Sequence, residues 1–412
     1  MISQMGPGIV YILTVLGAGD LVSNSAAGAG YGYALIWTVA LGMIFRFTWV
    51  NVSAKYVLVT GETLMHGFAQ VGQWVVWLIL ISMIVLVHGY NMYMIVVSGD
   101  AINVLFPLPT EGGAAIWSLF FATVAFFMAY WGGYGMIEIF CKILVGMMGA
   151  SLVFVAFLSD PDPTQIAKGL FIPSIPKSQG LYDSDFMLMA LLGTMTGSIV
   201  NMTYAYFIYE KGWRTISHLK QQRFDLLTGV ICACIMGILL QVAAAATIHP
   251  LGIDLTDSKD MVRIFSEVQG VIGKWIFSLG LWGAAFSTLI GTTVGCSLII
   301  ADLFRFLNKN PEEGKKGSPQ FQRIYRICVI FWSFSPLYIL LTGVSPVFLT
   351  LTVSALVVGL VPILTLILMK ITSEKSVMGK HRNSWTTNAL LICLTLAGFY
   401  MIYVNSSQWI MK

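Results

Sequence analysis

The sequence predicts an all-α polytopic membrane protein, and three observations carry that prediction. Hydrophobic residues make up 57% of the 412 and charged residues only 10%, with a mean hydropathy of +0.81. A soluble domain needs roughly 25% charged residues to cover its surface. The apolar residues fall in runs of about 20, the length that crosses a bilayer as a helix. The charges that remain cluster in short stretches between those runs. A soluble enzyme, a nucleic-acid binder and a disordered chain are all excluded.

Eleven runs meet the length requirement, over approximately 8–30, 33–58, 73–104, 113–132, 137–158, 186–209, 226–249, 271–303, 325–342, 346–370 and 386–409. The fourth and fifth are parted only by Trp131-Gly132-Gly133-Tyr134-Gly135. The domain organisation is one transmembrane unit over 1–412, with 1–158 and 186–370 as two five-helix halves and 386–409 as an added helix.

Loop charges orient the bundle. Lys211, Arg214, Lys220, Arg223, the basic residues from Arg305 to Arg326, and Lys370, Lys375, Lys380 and Arg382 occupy one set of loops. Asp160, Asp162, Asp183, Asp185, Asp254, Asp257 and Asp260 occupy the alternate set. The basic set is predicted to be cytoplasmic. That puts the N-terminus inside and, with an odd helix count, the C-terminus outside a plasma or inner membrane. Met1 to Pro7 has no basic n-region, so no cleavable signal peptide is expected. The six cysteines lie in apolar runs without metal-ligand spacing, which argues against a disulfide framework.

Two spans depart from an ordinary apolar helix. The first carries Gly17, Gly19 and Asp20 at mid-span, and the sixth carries Gly193-Thr194-Met195-Thr196-Gly197-Ser198-Ile199-Val200-Asn201. Glycine costs a helix interior about 1 kcal/mol, so both middles are predicted to unwind. They are the opening members of the two halves, and matching interruptions point to an inverted-repeat transporter.

Asp20 is the central candidate, because a carboxylate at mid-membrane is expensive unless it is paired or holds a cation. Its bland role would be to cap the half-helix after the break. Arg46 near the middle of the second span also needs a partner. Sequence alone leaves open whether the two pair; as a pair they would either gate the site or neutralise the acid and leave no cation site. Asn201, Thr196, Ser198 and Thr203 bring neutral oxygens to the second break, which suit hard cations such as Mg²⁺ and Mn²⁺. Each taken singly could instead satisfy opened backbone. His88 is a proton-relay candidate or a hydrogen-bonded core histidine. Glu138 and Lys142 have i, i+4 spacing and are expected to pair. Asp100 and Asp302 lie near helix ends and are expected to reach the interface.

Other stretches resemble a known family. Gly6-Pro7-Gly8, Ala27-Gly28-Ala29, Tyr31-Gly32-Tyr33 and Leu35-Ile36-Trp37 are similar to the first two helices of the NRAMP divalent-metal transporters. Ser53-Ala54-Lys55 with Thr60-Gly61, Pro161-Asp162-Pro163 and Lys168-Gly169-Leu170-Phe171-Ile172-Pro173 continue the likeness. So do Ser287-Thr288, Gly291-Thr292, Pro362 and Met378-Gly379. The resemblance implies a LeuT-type fold, two inverted five-helix repeats plus one extra helix.

The motifs that carry the family's chemistry are altered. Where the family has Asp-Pro-Gly-Asn in the first helix, this chain has Gly17-Ala18-Gly19-Asp20. Where it has Met-Pro-His-Asn in the sixth, the chain has Ile199-Val200-Asn201-Met202, without the thioether or the proton-linked histidine. Tyr93 and Val96 align with the third-helix acids that serve proton coupling, and Arg46 replaces a small apolar residue. The resemblance is thus to a divergent branch, the nearest analogue being one proposed to carry Mg²⁺.

The expected function is passive or weakly proton-coupled transport of a divalent cation by alternating access. Asp20, Asn201, Thr196 and the backbone carbonyls near Gly17 and Ile199 would form the ion's shell. The ion is the substrate, and no cofactor is expected. The protein would act as a monomer in the bilayer without nucleic-acid partners. Two alternatives stand beside this: a same-fold carrier of a small organic solute or anion held by Arg46, and a non-transporting sensor or scaffold.

Overall fold

The computed structural model describes residues 6–410 apart from 16–17, 111, 133, 178–180, 197–198, 254, 256–257 and 308–314. Among the described residues, ten helical stretches are long and apolar enough to cross a membrane, and they match the second to eleventh predicted spans. The first span is two shorter helices, α1 (Pro7–Val15) and α2 (Ala18–Tyr31). Residues 16–17 between them, Gly17 included, lie outside the described residues.

Local chemistry sets most of the boundaries. α3 (Ile36–Thr60) is the second span and stops at Gly61, whose φ of 72° lets its N–H fold back onto the Val57 carbonyl. A short helix, α4 (Leu64–Val71), leads into the third span. That span runs from α5 (Gln73–Ser82) through a π-helical turn, Met83–Val87, into α6 (His88–Leu105). α7 (Gly113–Trp131) and α8 (Tyr134–Leu158) are the fourth and fifth. The surface helix α9 (Pro163–Phe171) starts where the Asp162 carboxylate accepts the Thr164 and Gln165 N–H groups and Pro163 takes the first helical position.

The sixth span is divided like the first. It comprises α10 (Ser184–Thr196), a 3₁₀ turn over Ile199–Met202, and α11 (Thr203–Glu210), which completes the crossing. α12 (Leu219–Thr247) is the seventh span. α13 (Ser258–Leu307) holds the eighth, and Gly270, at φ 66°, breaks its N-terminal part from the membrane portion. α14 (Pro319–Phe334) runs into a 3₁₀ turn ending at Leu341. α15 (Pro346–Val357) and α16 (Val361–Ser373) form the tenth span around a second such turn. The short α17 (Lys375–Met378) then leads into α18 (Trp385–Ile410).

Burial ranks the spans from centre to rim. Over their most apolar 18 residues the eighth and sixth spans are 100% and 88% buried, whereas the eleventh is 28% buried. α13 packs against α6, α8 and α1, while α10 packs against α15, α3 and α2. The interrupted spans therefore meet in the middle of the bundle, shielded from lipid. α1 is anchored at its start by Asp225 of α12, whose carboxylate accepts the Gly8 N–H at 2.6 Å and the Gly6 N–H at 3.1 Å. This satisfies donors that a helix N-terminus leaves open.

Two expectations change here. Asp302 does not reach the interface: it is buried, and its carboxylate accepts the Tyr206 hydroxyl at 2.7 Å. Asp100 is buried as well. Both lie near helix ends in the sequence, but α13 and α6 pack against each other and both against α7, which leaves the two carboxylates inside the bundle. Glu138 pairs with Lys142 at 2.7 Å as its spacing requires, and also with Lys211 at 2.7 Å.

Candidate substrate site at the two helix breaks

Asp20 stands in the first turn of α2, and Thr194 and Met195 stand in the last turn of α10. A helix start carries partial positive charge and a helix end partial negative charge with free carbonyls. Each end is met here by the opposite charge. The Asp20 carboxylate sits at the start of α2. The Arg46 guanidinium, reaching over from α3, donates from Nε to the Met195 carbonyl at 2.6 Å and from Nη2 to the Thr194 carbonyl. Arg46 Nη1 then closes the arrangement on Asp20 Oδ2 at 3.1 Å, with Met43 Sδ a further 3.7 Å contact. The sequence left this pairing open; the two residues form an ion pair with side-chain exposures of 0% and 1%.

Asp20 Oδ1 has no hydrogen-bond partner among the described residues. Asp20 lines a cavity of about 20 Å³, room for about one water molecule. Thr14 of α1, Gly19 of α2, Tyr90, Tyr93 and Met94 of α6, Thr194 of α10, Val200 of the 3₁₀ turn and Thr288 and Thr292 of α13 complete its wall. The Tyr93 hydroxyl is likewise buried without a described partner. Thr292 donates to Asn91 Oδ1 at 2.8 Å, and Asn91 Nδ2 to the Trp332 carbonyl at 3.2 Å, which fixes α6 against α13 and α14. One carboxylate oxygen and a ring of hydroxyls make a donor set for a hard cation, with Met94 as the single thioether in the wall.

The other predicted residues fall elsewhere. Asn201 is buried and bridges the two breaks: its Oδ1 accepts the Tyr11 hydroxyl at 2.9 Å and its Nδ2 donates to the Thr196 carbonyl at 3.4 Å. The Thr196 hydroxyl donates to the Leu192 carbonyl at 2.6 Å and borders a separate small cavity beside Phe45 and Val358. Ile199 opens the 3₁₀ turn and is buried, and the Thr203 hydroxyl turns back to the Val200 carbonyl. Ser198 lies outside the described residues. His88 follows the π turn, where its Nδ1 is 3.2 Å from Ser335 Oγ and its ring stacks near Phe331 and Tyr338. It does not line the Asp20 cavity. Among the described residues, no three His, Cys, Asp or Glu side chains come together, so a cation here would have Asp20 as its only anionic ligand.

Sequence reasoning passed over Thr14, Tyr90, Met94 and Thr292 as wall residues. The i, i+4 spacing of Thr288 and Thr292 on a span rich in small residues is the signal that could have found the α13 wall.

Two spans each divided into shorter helices, meeting at a buried ion pair with a small cavity between them, are the arrangement of a membrane transporter of the LeuT type. A family model, Natural resistance-associated macrophage protein-like (Nramp), matches residues 8–406, and the chain belongs to the Nramp family of metal transporters; it is not an enzyme. The divalent metal cation transporter MntH of Chromohalobacter salexigens is 24% identical over 301 residues, 70% of this chain and 68% of that protein. Among solved structures, a variant of the Eremococcus coleocola manganese transporter superposes with a TM-score of 0.73 at 15% identity, covering 95% of this chain and 84% of that one. A nucleobase-cation-symport-1 family transporter shares the fold more distantly, with a TM-score of 0.58 at 11% identity over 98% and 93% of the two chains.

Proposed function

We propose that the protein carries a divalent cation of the Mg²⁺ or Mn²⁺ kind across the membrane by alternating access, with Asp20 as the anionic centre. The observation that carries this is the placement of Asp20: a buried carboxylate in the first turn of α2, one oxygen unpartnered among the described residues, lining a cavity walled by five helices and a 3₁₀ turn. The MntH relatives are named as divalent metal cation transporters, which supports the ion class. The hydroxyl-rich wall supports a hard ion, and Met94 keeps Mn²⁺ within reach. Tyr93 and Val96 in place of third-helix acids, together with His88 away from the cavity, support movement of the ion without obligatory proton exchange. The loop charges support a cytoplasmic N-terminus, an extracytoplasmic C-terminus and residence in the cell membrane. We take 1–158 and 186–370 as the inverted halves and the working unit as a monomer.

An anion carrier built on Arg46 has less to stand on. The guanidinium does not line the cavity, and it is committed to Asp20 and two carbonyls.

The test is uptake into proteoliposomes loaded with a Mg²⁺- or Mn²⁺-sensitive dye, comparing wild type with Asp20→Ala. Uptake by wild type that disappears in the variant is the expected result. Unaffected uptake would move the site away from Asp20, and no uptake of either ion by folded wild type would sink the transport reading.

A further inference from the structure

The guanidinium of Arg46 is surrounded as an ion would be. Three oxygens from two different spans converge on it: Asp20 Oδ2 from the start of α2, and the Thr194 and Met195 carbonyls from the end of α10. Two of these are backbone carbonyls freed where α10 stops, the kind of oxygen a buried helix end must have satisfied. The positive group that satisfies them arrives on a third element, α3, by a side chain with no solvent exposure. The adjoining cavity of about 20 Å³ is too small for a hydrated divalent ion, and such ions give up water reluctantly. An ion entering it would meet one bare carboxylate oxygen while the other stays neutralised by Arg46.

We propose that Arg46 is a tethered cation, holding this oxygen shell closed between transport events and exchanged for the incoming ion. The proposal rests on the reading of Asp20 as the ion's anionic centre and adds what occupies that centre when no ion is there. Swinging of the guanidinium off the shell releases Asp20 Oδ2 and both carbonyls, beside an Oδ1 that already faces the cavity. Return of the guanidinium refills the shell after the ion leaves, so Asp20 Oδ2 and the Thr194 and Met195 carbonyls are not left bare. The wild-type protein therefore binds its ion weakly, because every binding event displaces a resident charge.

The experiment measures Mn²⁺ binding to the detergent-solubilised full chain from the loss of the free-ion electron paramagnetic resonance signal. Wild type, Arg46→Ala, Arg46→Lys and the double variant Asp20→Asn, Arg46→Ala are compared, each checked for folding by thermal melting. Removing a unit positive charge a few ångströms from the ion's carboxylate should tighten Mn²⁺ binding by at least about tenfold. That gain should vanish in the double variant. Free guanidinium ion, added to Arg46→Ala, should compete with Mn²⁺ for the vacated shell. Arg46→Lys keeps a charge on a shorter tether and should fall between wild type and Arg46→Ala. If Arg46→Ala does not fold, Arg46→Lys alone decides.

Affinity unchanged from wild type in every folded Arg46 variant overturns the tether, whatever the flux assay shows. Tighter binding in Arg46→Ala, with no flux through wild type, overturns the transport reading and leaves the tether standing. A purely structural Arg46 would lower the melting temperature without any gain in Mn²⁺ affinity, and that result also overturns the proposal.

Discussion

The Tyr11 hydroxyl donates to Asn201 Oδ1 at 2.9 Å, joining the helix before the first break to the turn that follows the second. Asn201 passes the connection on to the Thr196 carbonyl at the end of α10. Both side chains are fully buried. Asn201→Ala leaves the Tyr11 hydroxyl unsatisfied, and Tyr11→Phe leaves the amide oxygen so. Each should cost about 1–3 kcal/mol of stability, read by SDS-titration unfolding in mixed micelles. A loss under about 0.5 kcal/mol in both variants, within the range of ordinary surface changes, would mean that the bridge does not hold the breaks together.

The Asp20–Arg46 pair should be strongly coupled. Asp20→Asn leaves a buried guanidinium without its counter-charge, a change worth about 3–5 kcal/mol. With Arg46→Met also introduced, the double variant should be more stable than the sum of the single losses predicts. A double-mutant cycle on unfolding free energies should give a coupling of about 2 kcal/mol or more. Additive losses would contradict a working ion pair.

Gly19 is where the cavity has least room. A Cβ there would lie 2.6 Å from the Tyr93 hydroxyl oxygen, so Gly19→Ala must push the ring back or fill the space. Flux should fall by more than about tenfold, since a 1 Å misplacement at a working site can cost about a hundredfold. Adding Tyr93→Phe should restore part of it. Gly146→Ala on α8, with nothing within 4 Å of its added Cβ, is the control. It should leave flux unchanged and stabilise the helix by up to about 1 kcal/mol. Equal loss in both alanine variants would remove the cavity from the argument.

His88 provides a test of proton involvement. Its ring stacks on Tyr338 and lies tilted against Phe331, its Nδ1 is 3.2 Å from Ser335 Oγ, and it does not line the Asp20 cavity. His88→Gln should keep both the rate of ion flux and its dependence on pH between 5 and 8, the interval in which an ordinary histidine changes charge. A pH profile that flattens in this variant would put His88 back on the transport path.

The helical skeleton was legible in the chain because a bilayer imposes it: apolar runs of fixed length, punctuated by charged loops, leave few alternatives. The third predicted span, 73–104, is Gln73–Leu105 in the fold, and Gly132 does separate the fourth from the fifth. The two interruptions also showed, as glycine clusters at mid-span. What could not be seen were relationships between helices. Asp20 and Arg46 are 26 positions apart, and only the crossing of α2, α3 and α10 decides that they touch. Asn201 and Thr196 were marked for their oxygens, yet which way those oxygens point depends on a 3₁₀ turn that polarity alone does not specify. Tyr90 and Met94 read as ordinary apolar-face residues of a helix, and become cavity wall only because α6 is pressed against α13.

The charges of Asp20 and Arg46, 3.1 Å apart, sum to zero. A transmembrane voltage does work of about 2.3 kcal/mol per 100 mV on each elementary charge carried across it. On this pair the two contributions cancel for as long as the two side chains stay together and move as one. In the proposed cycle, then, this pair adds no voltage-dependent work to the return of the unloaded molecule, whereas an ion aboard brings its full charge to the crossing.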